Sequence, residues 1–196
     1  MFILGKKLKM DQIWKDKKVI PVTVIKAAPN TVSLMRTAAK DGYEAVQLAL
    51  GKYKREFSTK GGFASGGKVP AEFPFKKGDV VTVGAFSEGD MVRVSGTTKG
   101  RGFQGVVKRH GFSGGPKTHG QKNRHRMPGS IGNTTPQRVI PGRRMAGHMG
   151  VDRVTVKNLV VAGVDKEKNI LLLRGAVPGA RGGFLEIEKI KAQKVE

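Results

Sequence analysis

The chain has 196 residues and no cysteine, and its 37 Lys and Arg residues against 15 Asp and Glu give a net charge of +22. This composition excludes a disulfide framework, a thiolate metal site and a cysteine nucleophile. The excess of positive charge favours a polyanionic partner, either nucleic acid or an anionic membrane surface.

The N-terminal region argues against the membrane alternative. No apolar run approaches the roughly 20 residues needed to cross a bilayer. The initial MFIL is followed by Gly5, Lys6 and Lys7, so it is too short for the apolar region of a signal peptide. We therefore expect no membrane partner and a cytoplasmic location, which the absence of cysteine fits.

Short β-strands are predicted in the first half of the chain. VIPVTVIKA (residues 19–27) is rich in β-branched residues, and YEAVQLAL (residues 43–50) follows the turn signal Asp41-Gly42. Helix is scarce, since TAAKDG (residues 37–42) can form one or two turns at most. GGFASGGKVP (residues 61–70) reads as a loop that is mobile or bound to the same partner as the rest of the chain.

A repeated pattern then predicts turns and strands at even spacing. KKGDVVTV and SEGDMVRV place Gly78-Asp79 and Gly89-Asp90 eleven residues apart, each before a short apolar run. Evenly spaced strands with such turns are typical of a small closed β-barrel, because closure removes exposed strand edges.

Residues 91–151 form a strongly basic segment. They contain twelve Lys and Arg, all four histidines and thirteen glycines, but no Asp or Glu. Because few apolar residues are present to offset the entropy of ordering, we expect this segment to be loose on its own and to be ordered by a partner.

Apolar strands resume after the basic segment. RVTVKNLVVAGVD, ILLLRGAVPG and GFLEIEKI supply at least three more strands. The predicted fold is therefore mainly β. A small closed barrel is formed by residues 1–96 and 152–196, and a long, irregular, basic extension of residues 97–151 is inserted in it.

The stretch GRGFQGVV (residues 100–107) matches the G-x-G-x-x-G pattern of nucleotide-binding loops. A dinucleotide fold needs a helix after this pattern and an acidic residue about 20 positions later. The following KRHGFSGGP is not expected to form a helix, and no carboxylate occurs before Asp152. The pattern therefore does not predict a nucleotide cofactor or any other small-molecule ligand.

The histidines His110, His119, His125 and His148 are alternative candidates for chemistry. No Cys, Asp or Glu lies near them in sequence, and the surrounding positive charge opposes a metal cation. No carboxylate is available to orient a histidine for acid–base catalysis. We expect no metal, no cofactor and no catalytic residue, and polar contacts or base stacking instead.

Glycine beside basic and amide side chains favours RNA. Glycine lets the backbone approach a phosphate chain closely, and arginine adds bidentate phosphate contacts and planar stacking. Folded RNA, with crevices between its helices, suits such a segment better than the smooth exterior of duplex DNA. The basic segment is therefore interpreted as an extension that threads through RNA.

The longest run of this segment also carries a resemblance. Residues 96–132, GTTKGRGFQGVVKRHGFSGGPKTHGQKNRHRMPGSIG, and residues 141–150, PGRRMAGHMG, resemble the universal large-subunit ribosomal protein three family, bacterial type. GKKLKMDQIW, DGYEAVQLALG and NILLLRGAVPG resemble it as well, so the likeness covers nearly the whole chain.

The resemblance implies a translation-protein-type barrel on the exterior of the large subunit. It also implies an extension that passes through large-subunit ribosomal RNA toward the peptidyl transferase centre, early assembly onto that RNA, and contacts with neighbouring ribosomal proteins. Residues 61–75 are shorter than is usual in the family. A glutamine after GSIG is methylated in some relatives, and Gln137 does not clearly match that position.

The candidate RNA-binding residues are the polar and basic side chains of the extension. GSIGNTTPQ (residues 129–137) has the turn chemistry for the reversal at its tip. The candidates are Lys99, Arg101, Gln104, Lys108, Arg109, His110, Lys117, His119, Gln121, Lys122, Arg124, His125, Arg126, Ser130, Asn133, Thr134, Arg138, Arg143, Arg144 and His148.

Two other classes of function remain as alternatives to an RNA-binding ribosomal protein. A DNA-compacting protein would need a dimer interface or a helix that enters a groove, and neither is visible in the sequence. An enzyme is the weakest alternative, since no catalytic constellation is present.

Overall fold

The computed structural model describes residues 1–15, 17–58 and 75–190. Within them the chain is mainly β, which confirms the predicted class. The strands are β1 (Phe2–Lys15), β2 (Lys18–Lys26), β3 (Asn30–Arg36), β4 (Ala45–Leu50), β5 (Tyr53–Ser58), β6 (Val80–Val81), β7 (Met91–Thr97), β8 (Phe103–Gln104), β9 (Gly147–His148), β10 (Arg153–Asp165), β11 (Ile170–Arg174) and β12 (Phe184–Lys189). The helices are α1 (Ala38–Asp41), α2 (Val106–His110) and a 3-10 turn at Val83–Ala85.

The chain divides into two compact units. Met1–Thr97 and Arg153–Glu196 together form the first, here called the sheet unit, and Thr98–Asp152 form the second, here called the inserted unit. Among the described residues, no helix of either unit is long and apolar enough to span a membrane.

Six strands of the sheet unit are paired in a closed ring. Hydrogen-bonded neighbours follow the order β1, β12, β7, β10, β11 and β2, and β2 pairs with β1 again. Every pairing in the ring is antiparallel. None of these six strands therefore presents a wholly unpaired edge in the described part of the chain, which removes a template for aggregation.

Alternating side chains of the ring strands form its core. Leu171 and Leu173 of β11 are fully buried, and the residues beside them in sequence are more exposed. Leu185 and Ile187 of β12 follow the same period of two. Each such side chain contributes roughly 1.5–3 kcal/mol by leaving water, so the apolar interior stabilises the ring.

A second, four-stranded sheet with the order β5, β4, β3 and β6 has its own apolar cluster. Strand β1 supplies side chains to both cores. Ile3 belongs to the ring cluster, whereas Phe2 and Leu4 belong to the cluster of the second sheet. Phe2 stacks on Phe57 of β5 with the ring centroids 4.4 Å apart. Because its two faces are both buried, the start of β1 holds the two sheets together.

Buried Asn30 strengthens the same junction. Its side-chain Nδ2 donates to the Leu4 carbonyl at 3.1 Å, and the Leu4 amide donates to Asn30 Oδ1 at 3.3 Å. A third bond, from Nδ2 to the Ala28 carbonyl at 2.8 Å, completes its donors. A buried amide with satisfied partners avoids the desolvation cost of an unpaired polar group.

The two Gly-Asp turns are confirmed and have the same geometry. Asp79 accepts a hydrogen bond from the Lys76 amide at 2.6 Å, and Asp90 accepts one from the Ser87 amide at 2.9 Å. The glycine before each aspartate has a positive φ, 97° at Gly78 and 86° at Gly89. The strands that follow differ, since β7 has seven residues and β6 only two before the 3-10 turn.

The sequence patterns found some elements and missed others. The strand over residues 19–27, the strand over residues 43–50 and the short helix within residues 37–42 are confirmed as β2, β4 and α1. Strands β1, β3 and β5 were not predicted. The predicted loop at residues 61–70 lies outside the described residues.

Candidate nucleic-acid interface

The inserted unit has two arms, which begin near Thr98 and end near Asp152, and they are held together where the chain enters and leaves the unit. Strands β8 and β9 pair in antiparallel orientation, with Phe103 opposite His148 and Gln104 opposite Gly147. The Arg101 amide donates to the Met149 carbonyl at 2.9 Å. The Thr98 amide likewise donates to the Asp152 carbonyl at 2.9 Å. A short two-stranded ribbon therefore closes the base of the unit.

The expectation that no helix follows the glycine-rich stretch is wrong. Residues Val106–His110 form the one-turn helix α2 after the extended Gly105. The Arg109 amide donates to the Gly105 carbonyl at 3.0 Å, and Gly111 ends the helix with a φ of 74°. A left-handed glycine is a common helix terminus because it has no Cβ. Val106 of this helix is buried.

The helix does not restore a nucleotide-binding loop. Strand β8 (Phe103–Gln104) lies inside the glycine pattern, whereas a dinucleotide fold needs the strand before it. The helix that follows has five residues. This arrangement provides no long helix whose N-terminus could hold a pyrophosphate.

Helix α2 is fixed to the opposite arm by two of the predicted RNA-binding residues. Arg109 Nη1 donates to the Met145 carbonyl at 2.8 Å, and His110 Nε2 lies 3.0 Å from the same oxygen. Because a carbonyl oxygen only accepts, Nε2 of His110 carries the hydrogen in this arrangement. Both residues therefore have a role within the protein.

The middle of the unit is ordered by a second set of internal bonds. His125 Nδ1 lies 2.9 Å from the Pro116 carbonyl, and the Gly115 amide donates to the His125 carbonyl at 2.9 Å. Gln104 donates through Nε2 to the Arg101 carbonyl. His125 and Gln104, like Arg109 and His110, are thus engaged in intramolecular contacts.

The predicted tip residues form local turns. Ser130 Oγ donates to the Gly132 carbonyl at 2.8 Å, and Asn133 Oδ1 accepts from the Thr134 amide at 2.8 Å. Arg143 Nη2 donates to the Ser130 carbonyl, which ties the tip to the returning arm. An open hollow lies here, lined by Gly132, Asn133, Thr134, Gln137, Arg138 and Val139.

Most of the predicted RNA-binding side chains are exposed. The half-buried ones are Gln104, His110, Gln121 and His125, and the other sixteen lie on the surface. The inserted unit carries eleven Lys and Arg residues, and Asp152 is its one carboxylate. In the described part of the chain, none of these eleven cations forms an ion pair.

In the sheet unit, by contrast, several cations are paired with carboxylates. Every ion pair found among the described residues lies there, including Arg93 with Glu188 and both Arg55 and Arg153 with Glu186. Its carboxylates therefore compensate part of the local positive charge. The inserted unit leaves its own charge uncompensated, as a surface that meets phosphates would require.

No cluster of three or more His, Asp and Glu side chains that could hold a metal occurs among the described residues. The histidine bonds described above are to backbone carbonyls at Pro116 and Met145, and not to carboxylates.

Phe103 was not among the predicted site residues. Its side chain is 76% exposed, although it lies in a strand of the inserted unit. An aromatic residue inside the basic, glycine-rich GRGFQG was the signal available in the sequence.

The comparisons agree with the resemblance carried by residues 96–132. The family model described as Ribosomal protein L3 matches residues 63–170. The chain is 49% identical over 195 residues to a protein of Clavibacter michiganensis subsp. michiganensis named Large ribosomal subunit protein uL3, with 92% of this chain and 90% of the relative covered. It is 50% identical over 201 residues to the Herpetosiphon aurantiacus protein of the same name, with 95% of each covered.

A third relative is similar to the chain to about the same degree. The Large ribosomal subunit protein uL3 of Deinococcus radiodurans is 48% identical over 193 residues, with 93% of this chain and 92% of the relative covered. Such proteins are ribosomal components and not enzymes, in agreement with the interpretation of the sequence. Because the identity is high over almost the full length of the chain, the chain belongs to the ribosomal protein L3 family.

Proposed function

We propose that the chain is a structural constituent of the large ribosomal subunit in the cytoplasm and binds large-subunit ribosomal RNA through its inserted unit. The relatives carry the name of large-subunit proteins. The observation that carries the RNA-binding part is the set of exposed cations without carboxylate partners in Thr98–Asp152. Such side chains are free to replace the counterions of a phosphate backbone.

The contacts divide between side chains and backbone. Exposed arginines such as Arg124, Arg126 and Arg144 offer planar, bidentate donors to phosphate oxygens. The glycines of the unit, several in the left-handed region, leave the main chain bare for close approach of RNA. Arg109, His110 and His125 hold the unit in shape, as their internal hydrogen bonds require.

We assign the closed ring of six strands to a small barrel of the translation-protein type. In this proposal the barrel lies on the exterior of the large subunit and contacts neighbouring ribosomal proteins. The support is the cyclic order of strand pairs together with the apolar core that they enclose.

The inserted unit is proposed to reach toward the peptidyl transferase centre and to brace its RNA. The support for this position is the family resemblance of residues 96–132 and 141–150. Ser130, Asn133 and Thr134 offer hydroxyl and amide groups at the tip, and no tip side chain offers a carboxylate. Their role is therefore support of RNA and not acid–base catalysis. Binding by such a unit takes place early, while the RNA is still folding around it.

Binding of the purified chain to three nucleic acids tests the RNA-binding proposal. A large-subunit ribosomal RNA transcript, a small-subunit transcript and duplex DNA are compared by filter binding between about 50 and 200 mM salt. If six to ten phosphates are neutralised, affinity for the large-subunit RNA falls by roughly 10³–10⁵ over this range. Flat affinity, or equal binding to duplex DNA, would contradict the proposal.

Crosslinking in cells tests the choice of RNA independently. RNA attached to the chain is recovered and sequenced, and large-subunit ribosomal RNA is expected to dominate. A matched control carries Lys54→Ala and Arg174→Ala, which remove two exposed charges from the sheet unit and leave the inserted unit intact. Recovery of mainly messenger or transfer RNA would be inconsistent with a ribosomal role.

A further inference from the structure

Two aromatic side chains stand opposite each other on the ribbon of the inserted unit. Phe103 of β8 is paired in register with His148 of β9. Directly opposite residues of an antiparallel pair lie on the same face of the ribbon, with Cβ atoms roughly 4.5–5.5 Å apart. Phe103 is 76% exposed and His148 is exposed as well, so this face of the ribbon is open to solvent.

The opposite face of the ribbon is already occupied. Gly147 precedes His148, and a Cβ added to Gly147 would lie 2.7 Å from Nη1 of Arg109. Successive residues of a strand point to opposite faces, so the Arg109 guanidinium covers the face away from His148. Arg109 is held there by its bond to the Met145 carbonyl. Helix α2 thus covers one face and leaves the Phe103 face free.

The ring of Phe103 is left largely in contact with solvent. Burial of an aromatic ring is favourable, and a ring left in water gives up that stabilisation. Lys99 and Arg101 precede Phe103 in sequence, and both are exposed and free of ion pairs in the described chain. A partner for this surface therefore combines a flat apolar group with negative charge.

An unpaired nucleotide has both properties. Its base offers a flat face to an aromatic ring, and its phosphates attract cations such as those that precede Phe103 in sequence. A base within a duplex is covered on both faces by its neighbours, so only a single-stranded or extruded nucleotide fits. A protein partner would have to place acidic side chains beside an apolar one. A nucleotide strand already carries a charged phosphate and a flat ring at every step.

We propose that Phe103, with His148 beside it, is a stacking platform for one unpaired base of RNA. This inference rests on the proposed RNA-binding function of the inserted unit and adds the kind of nucleotide that the unit takes. The base contacts the exposed ring face, and Lys99 and Arg101 neutralise the flanking phosphates. Because every base has a π face, the platform accepts any of the four.

Substitution of Phe103 tests the platform. Phe103→Leu keeps an apolar side chain but removes the ring, and Phe103→Trp keeps a ring. The probe is the large-subunit ribosomal RNA transcript, with binding measured over a salt series. We expect Phe103→Leu to bind roughly tenfold more weakly, as loss of one stacked base predicts, and Phe103→Trp to bind as the parent does. Since no charge is removed, the slope of log affinity against log salt stays the same.

A matched control separates stacking from general loss of an exposed aromatic group. Trp14, in the sheet unit, is 72% exposed, and Trp14→Leu makes a comparable change outside the proposed platform. We expect this variant to retain the affinity of the parent. Short single-stranded and duplex RNAs of equal length provide a second comparison, in which Phe103→Leu weakens binding to the single strand alone.

Ultraviolet crosslinking followed by mass spectrometry gives a readout that folding defects do not imitate. The parent chain bound to the transcript is irradiated, and a nucleotide adduct is expected on the peptide that contains Phe103. RNA binding by the parent without such an adduct, together with full affinity of Phe103→Leu, overturns the platform and leaves the proposed function intact. Failure of the parent to bind large-subunit RNA overturns the proposed function and the platform with it.

Discussion

Gly150 lies with its backbone against Lys99 in the inserted unit. A Cβ added to Gly150 would stand 2.2 Å from the Lys99 carbonyl oxygen, and the glycine has a φ of 88°. A side chain here would therefore meet both backbone strain and a rigid neighbour. The close approach accompanies the hydrogen bond between the Arg101 amide and the Met149 carbonyl.

Gly150→Ala is expected to open the base of the inserted unit. The left-handed conformation alone costs about 1–2 kcal/mol for a residue with a Cβ, and the clash with Lys99 adds to it. Gly142→Ala is the matched control, since Gly142 has a φ of 80° but no atom within 4 Å of its added Cβ. Amide exchange at Arg101 is the measurement. Equal exchange rates in the two variants would show that the close contact between Gly150 and Lys99 does not stabilise the base of the unit.

Arg109→Ala is expected to release helix α2 from the opposite arm. The substitution removes the donor to the Met145 carbonyl and the guanidinium that covers Gly147. Arg144→Ala removes the same charge from an exposed side chain and serves as the control. Faster amide exchange at Met149 in the first variant alone checks the assignment. If both variants lower RNA affinity equally and exchange alike, Arg109 acts only through its charge.

Loss of charge in the middle of the inserted unit is expected to impair subunit assembly. Arg124 and Arg126 are both exposed and lie outside the internal hydrogen bonds of the unit, so Arg124→Ala plus Arg126→Ala leaves phosphates uncompensated. Immature large subunits should accumulate in sucrose-gradient profiles. Lys54→Ala plus Arg174→Ala, in the sheet unit, should give a milder defect. A normal profile of the first double variant would count strongly against the proposed path of RNA.

The acid stability of the sheet unit is expected to depend on Arg36. Its Nη1 donates to Asp41 at 2.7 Å, and this bond holds the pKa of Asp41 below its ordinary value. A pKa that is lower in the folded state stabilises the protein above the unfolded pKa, and the gain is lost as the pH falls through the folded pKa. Arg36→Gln should therefore unfold at higher pH than the parent, in the range below about pH 4.

Circular dichroism over an acid titration checks this prediction. Arg174→Gln removes an exposed arginine from the same unit and is the control. Glu56 receives a bond from the Tyr43 hydroxyl at 2.9 Å, and this bond lowers the pKa of Glu56 more than Arg36 does, although Arg36 also contributes. Arg36→Gln should thus lose part of the acid stability and not all of it. Coincident titrations of parent and variant would show that Arg36 does not contribute to the acid stability of the sheet unit.

Changes at the tip are expected to alter drug sensitivity at the peptidyl transferase centre without abolishing peptide transfer. Asn133→Ala removes the acceptor that orders the Thr134 amide, and Gly129→Ala places a Cβ where φ is 80°. Small shifts in RNA that positions reacting groups lower rates modestly. Minimum inhibitory concentrations and single-turnover peptide transfer are the measurements. Complete loss of transfer in assembled subunits would point to a direct catalytic role.

Much of the architecture could be predicted because its signals are local. Strand β10 appears as the apolar run RVTVKNLVVAGVD, and the two Gly-Asp turns need only a left-handed glycine followed by a short acceptor. The segregation of charge is also a property of the sequence, since residues 91–151 contain no acidic residue. The family could be predicted from the long glycine-rich and basic run, whose order of residues is distinctive.

Strand β1 shows why other elements could not be predicted. Much of it is charged or exposed and lacks regular apolar alternation, and it becomes a strand by pairing with β2 on one side and β12 on the other. Asn30 is polar and yet fully buried, because main-chain groups of Leu4, 26 residues away, bond to both its Oδ1 and its Nδ2. Pairing and burial of this kind depend on neighbours that are distant in sequence.

The inserted unit divides in the same way between sequence and tertiary structure. Composition alone determined that residues 91–151 are cationic and suited to a polyanion. The tertiary structure decided that Arg109, His110 and His125 bond to the protein, and that Phe103 is open to solvent. The physical reason is that charge is additive along a chain, whereas exposure and hydrogen-bond partners are set by whatever the fold brings alongside each side chain.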